Sequence, residues 1–337
     1  MEKDIVFKVR NLHTNFKVGS YENKIIKGVS FDVYKGHILA IVGESGSGKS
    51  VTVNSAVNLL PNNGKVTEGS AILKTENGEF DLIKMKPFGK EMRKIRGKEI
   101  GMIFQDPMSS LNPVYTIGDQ IIENIREHNK VSKKEAKERA IEILKKLAIP
   151  SPEKRIDEYP HEFSGGMKQR VMIAIAMVND PNLLISDEAT TALDVTIQAQ
   201  IMDLMKEIRD RDNKSIILIT HNMGLVAENA DDVCVMYMGR IMEYAPIKNI
   251  FEHPLHPYTE ALLRSVPVPG MSKDKKLETI PGSTPDPKDY VKGCEFFDRC
   301  PYHKEKCKDD IPYYDMGNNH KVRCVLVEDR AKGVVHE

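Results

Sequence analysis

Short apolar runs, each followed by polar or turn-forming residues, recur through the first two thirds of the chain. Four of them are almost continuously apolar, as is typical of strands buried on both faces of a parallel sheet: His37–Val42, Gly101–Phe104, Leu183–Ser186 and Ser215–Thr220. Segments with helical spacing of apolar residues lie between them, namely Lys49–Leu60, Thr116–Arg126, Ser132–Leu147 and Arg170–Val178. This alternation predicts an α/β fold with a parallel core and a helical insertion at about residues 106–180.

Both ends of the chain differ from this core. Near the N-terminus, Ile5–Val9 and Gly28–Val33 alternate apolar with polar residues, which predicts an antiparallel sheet whose two segments are joined by a polar loop. From about Pro246 onward prolines are frequent and long apolar runs are few, and Pro267–Lys288 is predicted to be an extended linker. We therefore expect a core domain at residues 1–245 and a C-terminal extension at residues 246–337.

A glycine-rich segment stands between the first apolar run and a predicted helix. It consists of Gly43, Glu44, Ser45, Gly46, Ser47, Gly48, Lys49 and Ser50, and it fits the phosphate-binding pattern G-x-x-x-x-G-K-[ST] at every fixed position. The glycines let backbone N–H groups wrap a phosphate chain, and Lys49 and the helix N-terminus offset its negative charge. Ser50 is placed to hold Mg²⁺, and Val51 continues the segment into the helix. This segment predicts binding of a nucleoside triphosphate.

Polar side chains follow three of the predicted strands. Gln105 ends one strand, Asp187 and Glu188 end another, and His221 ends a third. In a nucleotide hydrolase, the first carboxylate of such a pair positions Mg²⁺ and the second polarises the attacking water. The carboxyl ends of parallel strands face the ligand crevice, so we predict that Ser50, Gln105 and Asp187 hold the metal there. The alternatives are a plain loop start for the paired acids and a structural role for the histidine.

A second glycine-rich segment precedes the last predicted helix of the insertion. Ser164 is a natural N-cap, and Gly165 and Gly166 follow it at the helix start. Two glycines there cost roughly 1 kcal/mol each relative to Ala unless a ligand must approach the backbone closely. The segment therefore predicts a second phosphate-binding helix end.

Composition narrows the class of protein. The 337 residues include 49 Lys plus Arg and 49 Asp plus Glu, so the chain lacks the basic excess that favours nucleic-acid binding. No apolar run approaches the ~18 to 20 residues of a membrane-spanning helix, and the N-terminus lacks the apolar region of a signal peptide. We expect a cytoplasmic protein, and a DNA-repair or RNA-remodelling ATPase is disfavoured.

Four of the five cysteines are crowded into the C-terminal extension: Cys294, Cys300, Cys307 and Cys324. Their spacing lacks the close Cys-x2-4-Cys pairs of structural zinc sites, and Pro301 follows Cys300 as in some cluster-binding runs. Because the cytoplasm disfavours disulfides, we predict that these thiols bind a structural four-iron four-sulfur cluster. The alternatives are zinc, with His303 or His320 replacing a cysteine, and free thiols. The fifth cysteine, Cys234, lies in an apolar run and is predicted to be a core residue.

The order of these motifs resembles the nucleotide-binding subunit of ATP-binding-cassette (ABC) transporters, over about Ile5 to Tyr244. Several motifs resemble those of the dipeptide and oligopeptide importer branch. They are FQDPMSSLNP at 104–113, FSGGMKQR at 163–170, HPYT at 256–259 and the four cysteines near the C-terminus. The resemblance implies a P-loop NTPase cassette with a RecA-like parallel core, an N-terminal antiparallel β subdomain and the helical insertion.

The resemblance also implies roles for individual residues. Phe16 would stack on adenine, with Tyr21 as the alternative, and Gln105 would sense the γ-phosphate and touch the permease. Glu188 would be the general base, His221 would hold and orient the γ-phosphate, and Asp187 would support Mg²⁺. The segment from Ser164 through Gly165 and Gly166 to Gln169 would contact the ATP of the opposite subunit, with Asp194 along the dimer seam.

The implied assembly is a pair of cassettes on two membrane permease subunits at the inner face of the cell membrane, served by an external peptide-binding protein. The resemblance to peptide importers implies that the two cassettes form a heterodimer, so a second, related cassette is favoured over an identical one. Ala189 stands where the family usually has proline after the Asp-Glu pair, and we expect a less rigid turn with activity retained.

Two alternative functions remain open at this point. The cargo of an importer is selected by other subunits, so a nickel chelate is an alternative to a peptide. A soluble cassette ATPase acting on DNA or ribosomes is disfavoured, because such chains tend to carry two cassettes or a long coiled coil, and this sequence has one phosphate loop and no sustained heptads. Glu188 and His221 argue against a regulatory module that does not hydrolyse ATP.

Overall fold

Two sheets organise the protein. The structure is a computed structural model, and it describes residues 4–106, 110–189, 195–266, 279–285 and 292–328. The described strands are β1 (Ile5–Val18), β2 (Tyr21–Tyr34), β3 (Ile38–Val42), β4 (Gly64–Thr75), β5 (Gly78–Asp81), β6 (Ile100–Ile103), β7 (Leu183–Asp187), β8 (Ser215–Ile219), β9 (Asp232–Tyr237), β10 (Arg240–Pro246), β11 (Tyr314–Asp315) and β12 (Lys321–Val322).

The helices lie mainly between the strands of the larger sheet. The described α-helices are α1 (Lys49–Ala56), α2 (Lys90–Lys98), α3 (Ile117–His128), α4 (Lys133–Lys146), α5 (Pro152–Arg155), α6 (Gly165–Met177), α7 (Val195–Asp212), α8 (Met223–Asn229), α9 (Ile247–Glu252) and α10 (Pro257–Arg264). Within the described ranges, none of these helices is long and apolar enough to cross a membrane.

The larger sheet has the strand order β11-β12-β10-β9-β3-β8-β7-β6. Its central strands β9, β3, β8, β7 and β6 run parallel, as the continuous apolar runs predict. Alternate residues of β3 enter different core clusters: Leu39 and Ile41 pack toward the smaller sheet, whereas Ala40 and Val42 pack toward α8 and the C-terminal extension. The parallel strands are therefore buried on both faces, and their carboxyl ends meet at one edge.

The smaller sheet is antiparallel, with the order β2-β1-β4-β5. The sequence predicts a polar loop between two short strands here, and that prediction is wrong: β1 continues to Val18, and β2 begins at Tyr21. Register shifts between β1 and β2 interrupt the simple alternation of apolar and polar residues. A strand with such bulges and a polar exposed face resembles a loop in sequence.

Side-chain caps begin three helices of the insertion between β6 and β7. Thr116 Oγ1, Ser132 Oγ and Ser164 Oγ accept hydrogen bonds from the backbone N–H groups of Asp119, Glu135 and Met167, at 3.1, 3.2 and 3.4 Å. The cap predicted at Ser164 is confirmed, and so is the capping box that the sequence predicts from Glu135 three residues after Ser132. The apolar faces of these helices form a core cluster with residues of the large sheet. This cluster covers the face of the large sheet that points away from the smaller sheet.

One predicted boundary and one predicted exposed face are corrected. Helix α1 ends at Ala56 rather than near Leu60, and Asn58 just beyond it has a positive φ of 55°. Basic residues are frequent at 84–98, which by itself indicates a solvated face, but Met92 and Ile95 of α2 are buried in the core between the two sheets.

The C-terminal extension packs against the large sheet. Strand β12 pairs with β10, and β11 pairs with β12, so the extension lengthens that sheet. Cys294, Phe296 and Cys307 pack in one core cluster with residues of β3 and β9. The extension therefore does not form a separate hydrophobic core. Cys234 is 0% exposed in β9, so its prediction as a core residue is confirmed.

Candidate functional site

The phosphate loop connects β3 to α1 at the carboxyl edge of the parallel strands. Gly43 has φ of 149°, and a Cβ there would stand 2.2 Å from the backbone oxygen of Met236 in β9. Gly48 has φ of 97°, and a Cβ there would stand 3.4 Å from the Cα of Gly239. The loop thus lies against β9 and the β9–β10 turn. The positive φ favours glycine at both positions, and at Gly43 the close approach to the backbone of β9 also requires it.

Lys49 points back into the loop that precedes it. Its side chain is 5% exposed, and Nζ donates hydrogen bonds to the carbonyl oxygens of Gly43 (2.9 Å) and Glu44 (3.1 Å). Burial lowers the pKa of Lys49, while the carboxylate of Glu188 opposes this shift. A cation is therefore fixed at the concave side of the loop, where a phosphate group would be bound.

Ser50 and Asp187 are joined across the edge of the sheet. Ser50 Oγ donates a 2.7 Å hydrogen bond to Asp187 Oδ1, and Asp187 is 8% exposed. Burial raises the pKa of Asp187, and the hydrogen bond from Ser50 acts in the opposite direction. A hydroxyl and a carboxylate oxygen side by side are ligand types that Mg²⁺ prefers, usually with substrate phosphates and water as its other ligands.

Side chains from three other motifs surround the carboxylate of Glu188. Gln105 Nε2 donates to Glu188 Oε2 at 3.0 Å, and Lys49 Nζ and His221 Nδ1 each lie 3.6 Å from Oε1. Glu188 has a positive φ of 46°, an uncommon conformation for a residue other than glycine. The structure therefore brings the strand-end residues and the phosphate loop together, as the sequence predicts.

The second glycine-rich segment forms the N-terminus of α6. Ser164 and Gly165 are exposed, and a Cβ at Gly165 would meet nothing within 4 Å, so the helix end is open. Gln169 is different: it is 0% exposed, and within the described part of the chain neither of its amide atoms has a hydrogen-bond partner. Asp194 lies outside the described residues.

The two aromatic candidates for adenine stacking lie near the β1–β2 turn. Phe16 is half-buried in β1, and its ring lies over Gly64, where an added Cβ would come within 2.9 Å of it. Tyr21, at the start of β2, is 76% exposed. Val51, in the first turn of α1, packs against the core between the two sheets.

The four cysteines of the extension surround one small cavity. Cys294, Cys300, Cys307 and Cys324 all line it, although the first and the last lie 30 positions apart in the sequence. Burial raises the pKa of Cys294 and of Cys324 to about 12. In the described ranges, no three His, Cys, Asp or Glu side chains are grouped so that they could hold a single metal ion.

His256 lines the same cavity, and reasoning from the sequence did not assign it a role. It is 1% exposed, and its Nδ1 accepts a 3.0 Å hydrogen bond from the backbone N–H of Tyr258. In the neutral ring Nε2 is then the donor, and among the described residues it has no partner. His320 bonds Glu243 at 2.7 Å rather than lining the cavity, whereas His303 lines it.

A long-range ion pair connects the extension to the phosphate loop. Both terminal nitrogens of Arg299 bond the carboxylate of Glu44, at 2.6 and 3.1 Å, and the backbone N–H of Glu44 donates to Tyr258 Oη at 2.8 Å. Residues 44 and 299 are 255 positions apart, and no local pattern in the sequence marks their contact.

Comparisons with known proteins agree with this geometry. Residues 26–191 match the ABC transporter family, and residues 242–307 match the family described as the oligopeptide/dipeptide transporter C-terminal region. The chain is 47% identical to the dipeptide transport ATP-binding protein DppD of Bacillus subtilis, over 99% of this chain and 98% of that protein. It is 46% identical to the oligopeptide transport ATP-binding protein OppD of the same organism, over 98% of this chain and 91% of that protein.

Among solved structures, the chain is similar to a dimeric post-hydrolysis state of the ATP-binding cassette MJ0796 bound to ADP and phosphate. The TM-score is 0.63 with 27% sequence identity, and the match covers 72% of this chain and 98% of MJ0796. The phosphate loop, the carboxylate pair and the fold thus agree with matches that span nearly the whole sequence. The chain belongs to the ABC transporter family of ATP-binding proteins, in the branch that carries the oligopeptide/dipeptide transporter C-terminal region.

Proposed function

We propose that this protein is the ATPase subunit that powers import of dipeptides or oligopeptides through a membrane permease. The observation that carries the proposal is the convergence of Lys49, Gln105 and His221 on the carboxylate of Glu188, beside the Ser50–Asp187 pair. Relatives named for dipeptide and oligopeptide transport, matched over nearly the whole chain, support the class of cargo.

In the proposed mechanism, residues 43–51 bind the phosphates through backbone N–H groups and Lys49, and Phe16 stacks on adenine. Ser50, Gln105 and Asp187 would hold Mg²⁺, and the ion would supply positive charge that offsets the charge on the phosphate oxygens. Glu188 accepts a proton from the attacking water, and His221 orients the γ-phosphate. Gln105 holds the carboxylate of Glu188 directly, so its movement changes how that base is oriented.

We propose that two cassettes act as a pair. The open helix end at Ser164, Gly165 and Gly166 suits a phosphate group supplied across the dimer, and Asp194 would lie along the same seam. We do not extend this role to Gln169, because its buried amide does not reach the open surface. The similarity to a dimeric cassette supports pairing, and we favour a related second cassette over an identical one.

Residues 1–245 would form the ATPase cassette, and residues 246–337 an extension that holds a four-iron four-sulfur cluster at Cys294, Cys300, Cys307 and Cys324. The four thiols line one cavity, and a cluster held by four cysteines would use all of them. The Nε2–H of His256 has no partner among the described residues, and it suits a sulfur acceptor inside that cavity. We propose that the cluster cross-links the extension and takes no part in electron transfer.

Metal analysis of anaerobically purified protein tests this assignment. A cluster predicts brown protein with about four irons per chain. Colourless protein with one zinc per chain would replace iron by zinc, and metal-free protein with four titratable thiols would refute both.

Reconstitution tests the proposed transport function. The chain, its partner cassette, two permease subunits and the external binding protein would be assembled in vesicles, and uptake of a labelled dipeptide, a longer peptide and a nickel chelate would be compared. ATP-dependent uptake of a peptide that stops in a Lys49→Ala variant is expected. Uptake of the nickel chelate alone would assign the other cargo, and co-purification with ribosomes or DNA instead of permease subunits would refute import.

A further inference from the structure

Arg299 is among the most completely bonded side chains that the structure describes. It is 8% exposed, although it belongs to a short turn in the extension rather than to the parallel core. Besides the two bonds to Glu44, its Nη1 donates to Tyr237 Oη at 3.1 Å, and its Nε donates to the carbonyl of Pro281 at 2.7 Å. The planar guanidinium is thereby fixed in one orientation, which makes it a rigid anchor rather than a mobile surface cation.

The group that Arg299 anchors is part of the phosphate loop. Glu44 follows the first glycine of the loop, and its carbonyl oxygen accepts one of the hydrogen bonds that hold Lys49. Tyr258 holds the backbone N–H of the same residue. Side chain, N–H and carbonyl of Glu44 are thus all engaged, and two of the three contacts come from the C-terminal part of the chain.

The pair also has an electrostatic consequence. The Glu44 carboxylate carries a negative charge in a loop that must accept an anionic triphosphate, and Arg299 neutralises it at close range. Without Arg299, that carboxylate would stand unpaired in the loop and oppose the charge of the phosphates.

The turn that carries Arg299 lies between two of the four cysteines. It spans Phe297–Arg299, with Cys294 three residues before it and Cys300 directly after it. Backbone N–H groups of Phe297 and Cys300 bond the carbonyls of Cys294 and Phe297, at 3.0 and 3.2 Å. A ligand bound by the cysteine cavity would fix both ends of this turn, and so the position of Arg299.

We propose that Arg299 is a positioning residue of the nucleotide site, and that occupancy of the cysteine cavity acts on nucleotide binding through the Arg299–Glu44 pair. The second half of this proposal rests on the metal assignment proposed above. Binding linkage is reciprocal at equilibrium, so a bound nucleotide would also tighten binding of the metal in the cavity.

A double-mutant cycle on ATP affinity tests the pair in the full-length protein. The variants are Arg299→Gln, Glu44→Gln and the double variant, with Kd for ATP measured in the presence of Mg²⁺. We expect Arg299→Gln to weaken ATP binding about tenfold, within the range of coupling energies for contacting residues. The double variant, which also removes the uncompensated carboxylate, recovers most of that loss. Arg264→Gln, in the exposed pair with Glu260, is the matched control and leaves Kd unchanged.

The same Kd is then measured after the metal has been removed by chelation. We expect removal to weaken ATP binding to the unmodified protein and to have little effect on Arg299→Gln, because the connection is already cut there. We also expect ATP to raise the chelator concentration that removes half of the metal at equilibrium from the unmodified protein, but not from the variant. Thermal unfolding of each variant identifies any variant that fails to fold. If Arg299→Gln fails to fold, Glu44→Gln replaces it, because Glu44→Gln keeps the bonds of Arg299 to Tyr237 and Pro281.

Four results would overturn the proposal or one of its two parts. Unchanged ATP affinity in Arg299→Gln, or losses that simply add in the double variant, would remove the positioning role. An equal effect of metal removal on Arg299→Gln and on the unmodified protein would show that the coupling bypasses this pair. Protein that purifies without iron or zinc refutes the cluster and the metal coupling, and the cycle measured on that protein still decides the role of Arg299.

Discussion

Gly239 lies where the smaller sheet, the phosphate loop and the β9–β10 turn meet. Its φ is 78°, and a Cβ there would stand 1.8 Å from the backbone oxygen of Ile25 in β2. Its N–H donates to Ser47 O, and its carbonyl accepts from Lys27 N, both at 2.9 Å. Replacement of Gly239 by Ala therefore opposes a backbone contact that no side-chain rearrangement can relieve.

The expected cost of Gly239→Ala has three parts. The left-handed conformation costs about 1 to 2 kcal/mol for a residue with a Cβ. Relief of the contact requires a shift of roughly 1 Å or more in β2 or in the turn, and overpacking of this kind costs about 1 to 3 kcal/mol. Loss of one of the two backbone hydrogen bonds adds about 1 kcal/mol, for a total of about 3 to 6 kcal/mol.

Gly19→Ala is the matched control. Gly19 also lies in a hairpin turn, with φ of 62°, but a Cβ there would meet nothing within 4 Å, so only the conformational part of about 1 to 2 kcal/mol remains. Urea unfolding of both variants gives the free energies, and ATP binding by the folded Gly239→Ala protein should also weaken because Ser47 loses its partner. Equal destabilisation by the two substitutions would refute the argument that close packing at Gly239 supports the loop.

Two further predictions concern α6 and Asp187. Ser164→Ala and Ser132→Ala each remove an N-cap, so each should lower the free energy of unfolding in urea by about 1 kcal/mol. Only Ser164→Ala should also reduce ATP hydrolysis by the assembled complex. Equal ATPase activities of the two variants would contradict the role of the α6 N-terminus. Because burial raises the pKa of Asp187 above its unfolded value of 3.8, its ionised form costs folding stability at neutral pH, and that cost disappears as the pH falls below 3.8. Asp187→Asn should therefore raise the thermal unfolding temperature of the ligand-free protein near pH 7, with a difference that shrinks in acid, while Mg²⁺-dependent hydrolysis falls; an unfolding temperature unchanged at pH 7 would contradict this.

The parallel core and the nucleotide site could be predicted from the sequence because their signals are local. A continuous apolar run predicts a strand buried on both faces, and the glycine-rich pattern after β3 predicts a phosphate loop and a helix. Strand ends then carry Gln105, Glu188 and His221 to one edge of the sheet without any knowledge of long-range contacts. The caps at Ser132 and Ser164 were equally accessible, since each acts on the backbone three residues ahead.

Other features depend on contacts that no local pattern encodes. The β1–β2 hairpin has bulges and polar exposed positions, so its sequence reads as a loop. The pairing of β12 with β10 and the bond between Arg299 and Glu44 join segments far apart in the chain. His256 lies in the cysteine cavity only because α10 packs beside the extension, and its sequence neighbours give no sign of that.

ATP hydrolysis by a Glu188→Gln variant tests the central claim most directly. The substitution keeps an acceptor oxygen for the Gln105 amide but removes the base, and general-base catalysis contributes about 10² to 10⁴ in rate. Kd for ATP and turnover would be measured in the assembled complex, with Glu158→Gln, in a surface pair with Arg155, as the control. The account predicts ATP affinity close to that of the unmodified protein with turnover reduced about a hundredfold or more. Turnover at the unmodified rate in Glu188→Gln would contradict it.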